Sequence, residues 1–350
     1  MKDNILIVGG YGHVGRYVTM ELTKLFPQKI IVAGRDPKKA AAFAAEQINT
    51  FKTLKLDIYD KENVSLAVKD IRVVVMCLTP LNTDFVEYCI KNGIHYIDIS
   101  PSVDVTKKIT NFKEDAKNNN STCVLGVGLS PGLSNLLVKE LSQKADSLLS
   151  VNISLLLGLG DELGEDGLRW FLDNIQHDKK TFRQKYKTVF PEPLGKRTAY
   201  HYNLADQFIV QQTLEVKNAS SYFCYDSRFM TAFVSILKRF GVFGLLKYKS
   251  GYNFLLKLFM SSLSATQKTK SGTDIFGLQV DAVGLRNGKE IPLYIGLTGF
   301  NNALLTGQVA AFTAMKLFIE EYSSGVFYFE DLFFLSDIIE ICKNQKVSFS

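Results

Sequence analysis

The chain has 350 residues, 46% of them hydrophobic and 22% charged, with a formal net charge of +6. That length suffices for two domains with real cores, in an ordinary globular composition. Basic residues are scattered among acids, so a nucleic-acid partner has no compositional support.

The first 130 residues alternate between two hydrophobic periods. Strand-like apolar runs fall at 4–8, 29–33, 52–56, 72–78, 94–99 and 121–127, with helix-like stretches near 13–26, 37–47, 60–69, 82–92 and 103–118 between them. Continuous apolar strands alternating with amphipathic helices predict an α/β Rossmann domain, a doubly wound parallel sheet covered on both faces. Directly after the first strand stands "GGYGHVG", residues 9–15, with Gly10, Gly12 and Gly15 in GxGxxG spacing. Each glycine has a task there: a tight turn, close approach of backbone to pyrophosphate, and close helix–strand packing. With Gly9, Tyr11, His13 and Val14 they form a phosphate loop, and the helix behind it offers free N–H groups to an anion.

The second strand ends in "VAGRD". An acid at that strand end would bond the ribose 2′-hydroxyl and repel a 2′-phosphate. Here Gly34 leaves space and Arg35 supplies a planar fork suited to phosphate, with Lys38 and Lys39 close by. NADP(H) is therefore the expected cofactor. Asp36 precedes Pro37 and reads as a helix cap, with a turn back to the ribose as its alternative. Asp57, ending the third strand, either meets the adenine amine or serves as a turn residue. No tyrosine is followed by lysine four residues later, which excludes the Tyr-xxx-Lys mechanism of short-chain dehydrogenases.

After Pro131 the pattern changes to an α+β domain with a mostly antiparallel sheet. "SNLLVKELSQKA" reads as helix and "SLLSVNISLLLGL" as a buried strand, and β-like runs recur around 208–217 and 275–285. Asn287-Gly288 is a two-residue hairpin signal. The uncharged run 291–315 is long enough to span a bilayer, yet its proline, glycines and Asn301-Asn302 read as strand, turn and helix. The expected domains are 1–130 with a returning helix at 305–320, 131–304, and a C-terminal packing segment at 321–350. The five cysteines are dispersed without a CxxC pair, which suggests free thiols in a reducing compartment and no bound metal. The first strand begins by Asn4 or Ile5, leaving no room for a signal peptide, so a cytoplasmic protein is expected.

With "GGYGHVGRY", "VAGRDPKKA", "CLTP", "KNGIHYIDIS", "GLSPGLSNLL" and "GFNNALLTGQVAAFTAMKLF" in view, the chain resembles the saccharopine dehydrogenase-like family of NADP-dependent oxidoreductases. The matching features spread over residues 5–318. The family includes enzymes that make or cleave secondary amines, carboxynorspermidine and homospermidine synthases, lysine dehydrogenases and trans-acting enoyl reductases. The resemblance implies that Leu78, Thr79 and Pro80 flank the nicotinamide ribose, and that Gly128, Leu129 and Ser130 form the domain junction near the carboxamide. Asp98 and Ser100 end another parallel strand, on the side where such sheets bind ligands. The chain is shorter than the lysine-pathway saccharopine reductases and has "CLTPLNTDF" in place of their serine-tyrosine-rich loop, so saccharopine is not assigned as substrate.

Residues 179–197 hold seven basic residues and one acid. They read as a solvated basic loop or, through Lys196 or Arg197, as a cation for a substrate carboxylate. His201 reads as a structural histidine or as a proton donor to the reduced carbon's partner atom. Residues 229–263 are helical, apolar and basic. Packing within the domain or across a homodimer leads, a tunnel for a greasy substrate follows, and membrane contact comes last because Gly241, Gly244 and Gly251 break any single long helix. The expected activity is hydride transfer between NADP(H) and an imine or amine carbon of an amino-acid-derived substrate. Reduction of an activated carbon–carbon double bond in an apolar substrate is the alternative, and a silent NADP sensor the third.

Overall fold

The computed structural model describes residues 2–48, 50–160, 165–177, 180–268 and 272–349, without the side chains of 165–166, 176–177 and 262–268. The chain divides into two compact units, Met1–Gly132 with Ala303–Leu332, and Leu133–Asn302 with Phe333–Ser350. Lys179, the first residue of the basic stretch, lies outside the described residues.

In the first unit the chain runs β1 (Asn4–Val8), α1 (Gly15–Leu25), β2 (Ile30–Gly34), α2 (Pro37–Glu46), β3 (Lys52–Lys55), α3 (Lys61–Ala67), β4 (Ile71–Met76), α4 (Asp84–Lys91), β5 (His95–Asp98), α5 (Val103–Thr110), α6 (Lys113–Asn118) and β6 (Thr122–Leu125). The strands pair in parallel in the order β6-β5-β4-β1-β2-β3. Ile5 to Ile7 and Val73 to Met76 are fully buried, the signature of strands covered on both faces. Helix starts follow side-chain chemistry: Asp36 caps α2, Asp60 caps α3 and Ser102 caps α5, each cap worth about 1 kcal/mol. The order reverses beside β1, so the carboxyl ends of β1 and β4 flank the crevice where such sheets take ligands.

The second unit holds α7 (Ser134–Ser142), β7 (Ser147–Leu157), α8 (Glu165–His177), β8 (Lys185–Phe190), β9 (Gly195–His201), α9 (Ala205–Thr213), β10 (Asn218–Tyr225), α10 (Arg228–Arg239), α11 (Lys249–Lys268), β11 (Ile275–Arg286) and β12 (Lys289–Phe300). Its sheet runs β12-β11-β7-β10-β9-β8, and β7 with β10 is its parallel pair. Asn287 and Gly288 take φ of 52° and 74°, the two-residue turn expected between β11 and β12.

The run 291–315 is strand, turn and helix, as its sequence suggests. β12 ends at Phe300, Asn301 turns the chain at φ 58°, and α12 (Asn302–Ile319) follows. Among the described residues α12 is the one helix long and apolar enough to cross a membrane, and 56% of it is buried within the protein. A Cβ on Gly307 would lie 2.6 Å from Tyr17 Cβ, so α12 packs directly on α1. β13 (Gly325–Tyr328) then pairs in parallel with β6 as the seventh strand of the first sheet, and α13 (Phe329–Leu332) closes that unit. α14 (Leu335–Asn344) and β14 (Ser348–Phe349) belong to the second unit, where β14 pairs with β12 at Leu297 and Thr298. Pro292 stands beyond that short pairing, at a strand edge that tolerates a missing donor.

Two segments differ from expectation. Residues 208–217 are helical up to Thr213, because Ala205, Ile209 and Val210 share the buried side of α9; the β-branched pair conceals a helical period. The basic stretch is an antiparallel hairpin, not a loop. Lys185, Lys187 and Val189 alternate with the more buried Tyr186, Thr188 and Phe190 along β8, the period of a half-buried strand.

Candidate active site

The glycine loop is shaped by contacts that only glycine permits. A Cβ on Gly15 would lie 2.2 Å from the Gly9 carbonyl oxygen, and one on Gly10 3.1 Å from the Ile7 oxygen. Gly9 itself has φ +78°, a left-handed position suited to glycine. Gly12 N donates to Gly9 O at 2.8 Å, and Thr19 Oγ1 donates to Gly10 O at 3.0 Å. Unlike α2, α3 and α5, helix α1 has no side-chain cap. Its first N–H groups, behind a loop with no bulky side chain at the glycines, can receive an anion. His13 stacks edge-on with Tyr17 at 6.5 Å, and Val14 is half-buried.

At the end of β2 the structure revises one detail. Gly34 does not leave open space: a Cβ there would meet Tyr11 Oη at 2.3 Å. The Tyr11 ring fills the position, and its hydroxyl accepts from Asp36 N at 3.0 Å. Gly34 thus makes room for Tyr11. Arg35 is exposed and has no hydrogen-bond or ion-pair partner among the described residues. Asp36 takes the capping role, accepting from Lys38 N at 2.9 Å and Lys39 N at 3.2 Å. Asp57 Oδ1 accepts from Tyr59 N at 3.1 Å, the turn reading of that residue.

The loops after β4, β5 and β6 meet at the same sheet edge. Leu78 lies against Gly9, 2.8 Å from where a Cβ would stand. Pro80 is buried. Ser100 Oγ donates to Thr79 Oγ1 at 3.4 Å and accepts from Ser102 N at 3.2 Å. Asp98 is 3% exposed; its Oδ1 accepts from Ser100 N at 2.6 Å and its Oδ2 from Tyr96 Oη at 3.0 Å. Burial pushes the Asp98 carboxyl up to about 6, outweighing the two hydrogen bonds that favour its charge. Asp98 is therefore a held group, built into the loop that carries Ser100. Beyond β6, Leu129 N donates to Thr306 Oγ1 of α12 at 3.3 Å, and Ser130 precedes Pro131 through a cis peptide bond. His95 Nδ1 accepts from Thr122 N at 3.0 Å, and burial lowers its pKa to about 4. It is a neutral structural residue.

In the second unit, Lys196 and His201 stand five residues apart on β9, and so on opposite faces of the strand. Lys196 is exposed, and its carbonyl accepts from Arg228 Nη2 at 3.2 Å. Arg197 is half-buried, its Nη1 donating to Lys196 O at 3.1 Å. His201 is 8% exposed and meets Tyr222 edge-on at 6.1 Å. On the His201 face the sheet curls until β8 reaches β11: Tyr186 Oη and Thr188 Oγ1 donate to Asp281 Oδ2 at 3.0 and 2.9 Å, and Gln279 Nε2 to Oδ1 at 2.8 Å. Gly277 and Gly296 make space for Leu194 and Pro191 at that closure. The sequence reading missed Tyr96, which the i, i+2 spacing to Asp98 could have revealed, and Thr306. It also missed the Asp281 cluster, which no local pattern announces because its members meet only through the curl. Among the described residues no group of three His, Cys, Asp or Glu could hold a metal ion.

Comparison with known proteins bears on the first unit most strongly. The family model described as the saccharopine dehydrogenase NADP binding domain matches residues 5–124. The match is confined to this segment and supports NADP(H) as its cofactor. Saccharopine dehydrogenase (L-Glu forming) from Saccharomyces cerevisiae, in its apo form, matches over 99% of both chains with a TM-score of 0.66 at 14% identity, a likeness of fold. UDP-N-acetylglucosamine 4,6-dehydratase (inverting) from Campylobacter jejuni is 36% identical over 103 residues, 27% of this chain and 30% of that protein. Isoflavone reductase homolog IRL from Zea mays is 38% identical over 81 residues, 22% of this chain and 26% of that protein. The chain thus spans less than a third of the curated relatives it matches. The first unit has the features NADP(H) asks for: a glycine cradle that any Cβ would fill, an uncapped helix end and, just after β2, an arginine with no partner among the described residues.

Proposed function

We propose that the chain is an NADP-dependent oxidoreductase that moves a hydride to or from an imine or amine carbon of an amino-acid-derived substrate. The observation that carries this reading is the cradle at Gly9–Gly15 with Arg35 beside it, in a domain of the saccharopine dehydrogenase NADP-binding type. The fold shared with the yeast enzyme, whose name specifies an amino-acid product, supports the choice of substrate class.

Bound NADP(H) would supply the hydride. Gly10, Gly12 and Gly15 would admit the pyrophosphate to the α1 N-terminus, and Arg35 would bond the 2′-phosphate. Leu78 and Thr79, with Leu129 and Ser130, would bound the nicotinamide end. Ser100, held by Asp98 and Tyr96, would present its hydroxyl beside Thr79 and orient the reacting group. Lys196 and His201 remain candidates for carboxylate binding and proton donation; their opposite directions on β9 mean that at most one of the two side chains serves a given face of the sheet. A cytoplasmic homodimer belongs to the same reading, with light scattering as its check.

The test is a screen of NADPH consumption by absorbance, pairing amines with 2-oxo acids and adding enoyl thioesters separately. Consumption that requires both an amine and a 2-oxo acid is the expected result. Consumption with enoyl thioesters alone, or tight NADPH binding with no turnover, would replace this reading with the reductase or the sensor.

A further inference from the structure

The surface of α10 and α11 is unlike the rest of the molecule. On α10, Phe229, Phe233, Ile236 and Phe240 are exposed at 77%, 43%, 49% and 84%. Their spacing of four, three and four residues makes one continuous stripe along the helix, and Phe229 stacks on Phe233 at 6.2 Å. The opposite side holds the helix down through buried Thr231, Val234 and Ser235, and through Lys238 Nζ, which donates to Ile175 O. Leu245 and Tyr248, in and just after the turn that follows, are also exposed, as are Phe254 and Leu258 one turn apart on α11.

Charge is equally one-sided. Residues 227–273 hold eight Lys or Arg and no Asp or Glu, against +6 for the whole chain, so the remaining residues carry net −2. Arg228, Arg239, Lys247, Lys249 and Lys257 are exposed among the apolar side chains. Of the glycines that argued against membrane contact in the sequence, Gly241 stands at φ +75° where α10 gives way to the short 3-10 helix Val242–Lys247, Gly244 lies within that helix, and Gly251 lies in the first turn of α11 and packs against Leu245. Gly241 separates α10 from α11 without removing the exposed apolar side chains of either.

We propose that this face docks on an anionic lipid bilayer, with the phenylalanines entering the headgroup boundary and the lysines and arginines meeting lipid phosphates. Exposed aromatic and aliphatic side chains interleaved with cations, in a segment that itself holds no acid, match that surface in both hydrophobicity and charge. A second copy of the chain matches less well. A two-fold interface places the same patch on itself and would bring the same cations together with no carboxylate in the segment to offset them.

The test is co-sedimentation of the full chain with phosphatidylcholine vesicles, with and without about one third phosphatidylglycerol. Anionic vesicles should bind at least roughly tenfold better, and the advantage should shrink with added salt. Phe229→Ser with Phe240→Ser should lower that binding about tenfold or more, and Arg239→Glu with Lys249→Glu should lose it. Unchanged far-UV circular dichroism and thermal unfolding in both variants certify their fold. Equal binding to both vesicle types, no binding to either, or retention of binding by both variants overturns the proposal. So does a dimer in light scattering that the serine variant turns into a monomer, because the face is then covered by a second copy.

Discussion

The carboxyl edge of the parallel sheet and strand β9 of the mixed sheet treat their chemically active residues in opposite ways. At the first, the loop of Gly9–Gly15 touches Leu78, and Thr79 bonds Ser100, although these residues are scattered over ninety positions of sequence. Every strand of a doubly wound sheet ends on the same side, so each strand-end motif is delivered to one place. On β9, five residues separate Lys196 from His201 and the strand sends them to opposite faces. Nearness in sequence is no guide where a period of two decides direction.

The largest effect should come from filling a close approach at that convergent edge. Gly15→Ala puts a methyl group against the Gly9 carbonyl, and should weaken NADPH binding by about a hundredfold or more in a titration. Gly195→Ala in the β8–β9 turn is its counterpart. Gly195 has φ +61° and nothing within 4 Å of a Cβ, so the cost should be backbone strain of about 1 kcal/mol, read by thermal unfolding, with NADPH affinity unchanged. Equal losses of cofactor binding in the two variants would erase the contrast.

Asp98 tests whether the convergent edge is also a strained one. Its folded pKa, raised to about 6 by burial, lies above that of the unfolded chain. The folded protein therefore holds a proton that the unfolded chain gives up between pH about 4 and about 6, and this group's contribution falls by about 3 kcal/mol in all as pH rises, about 2 kcal/mol of it within that window. Asn does not titrate. The stability of wild type relative to Asp98→Asn, from denaturant melts, should fall by about 2 kcal/mol between pH 4 and pH 7. A flat difference would mean that the carboxyl is not desolvated.

Arg35→Ala should weaken NADPH binding roughly ten- to a hundredfold while leaving NADH nearly unchanged, since an exposed arginine without a partner among the described residues has little to lose but a phosphate. The smallest effect belongs to the mixed sheet. Lys196→Ala or Arg197→Ala should raise the substrate KM by roughly three- to tenfold at constant NADPH affinity if either holds a carboxylate. Unchanged kinetics in both would leave the hairpin lysines as a solvated face.

The same contrast explains what was legible in the sequence. The six leading strands of the first unit, the glycine loop, the Asp36 cap and the Asn287-Gly288 turn are written in local patterns, and the structure has them within a few residues of where those patterns lie. The filling of Gly34 by Tyr11, the Tyr96–Asp98 bond and the reach of Thr306 to Leu129 are side-chain encounters within or between elements that the patterns left open. The β8–β9 hairpin was hidden by its lysines, which drew the eye to charge and away from alternation. The Asp281 cluster depends on curvature of a whole sheet, and curvature has no residue-level signature here.

Hydride transfer itself is best followed with NADPH deuterated at the transferable nicotinamide C4 position, supplied to the protein with an amine and 2-oxo acid pair that supports turnover. Mass spectrometry of the product should find a secondary amine with deuterium on the carbon that was the oxo carbon. Deuterium on the β-carbon of a saturated thioester in the parallel enoyl reaction, with none in any amine, would contradict the proposed chemistry.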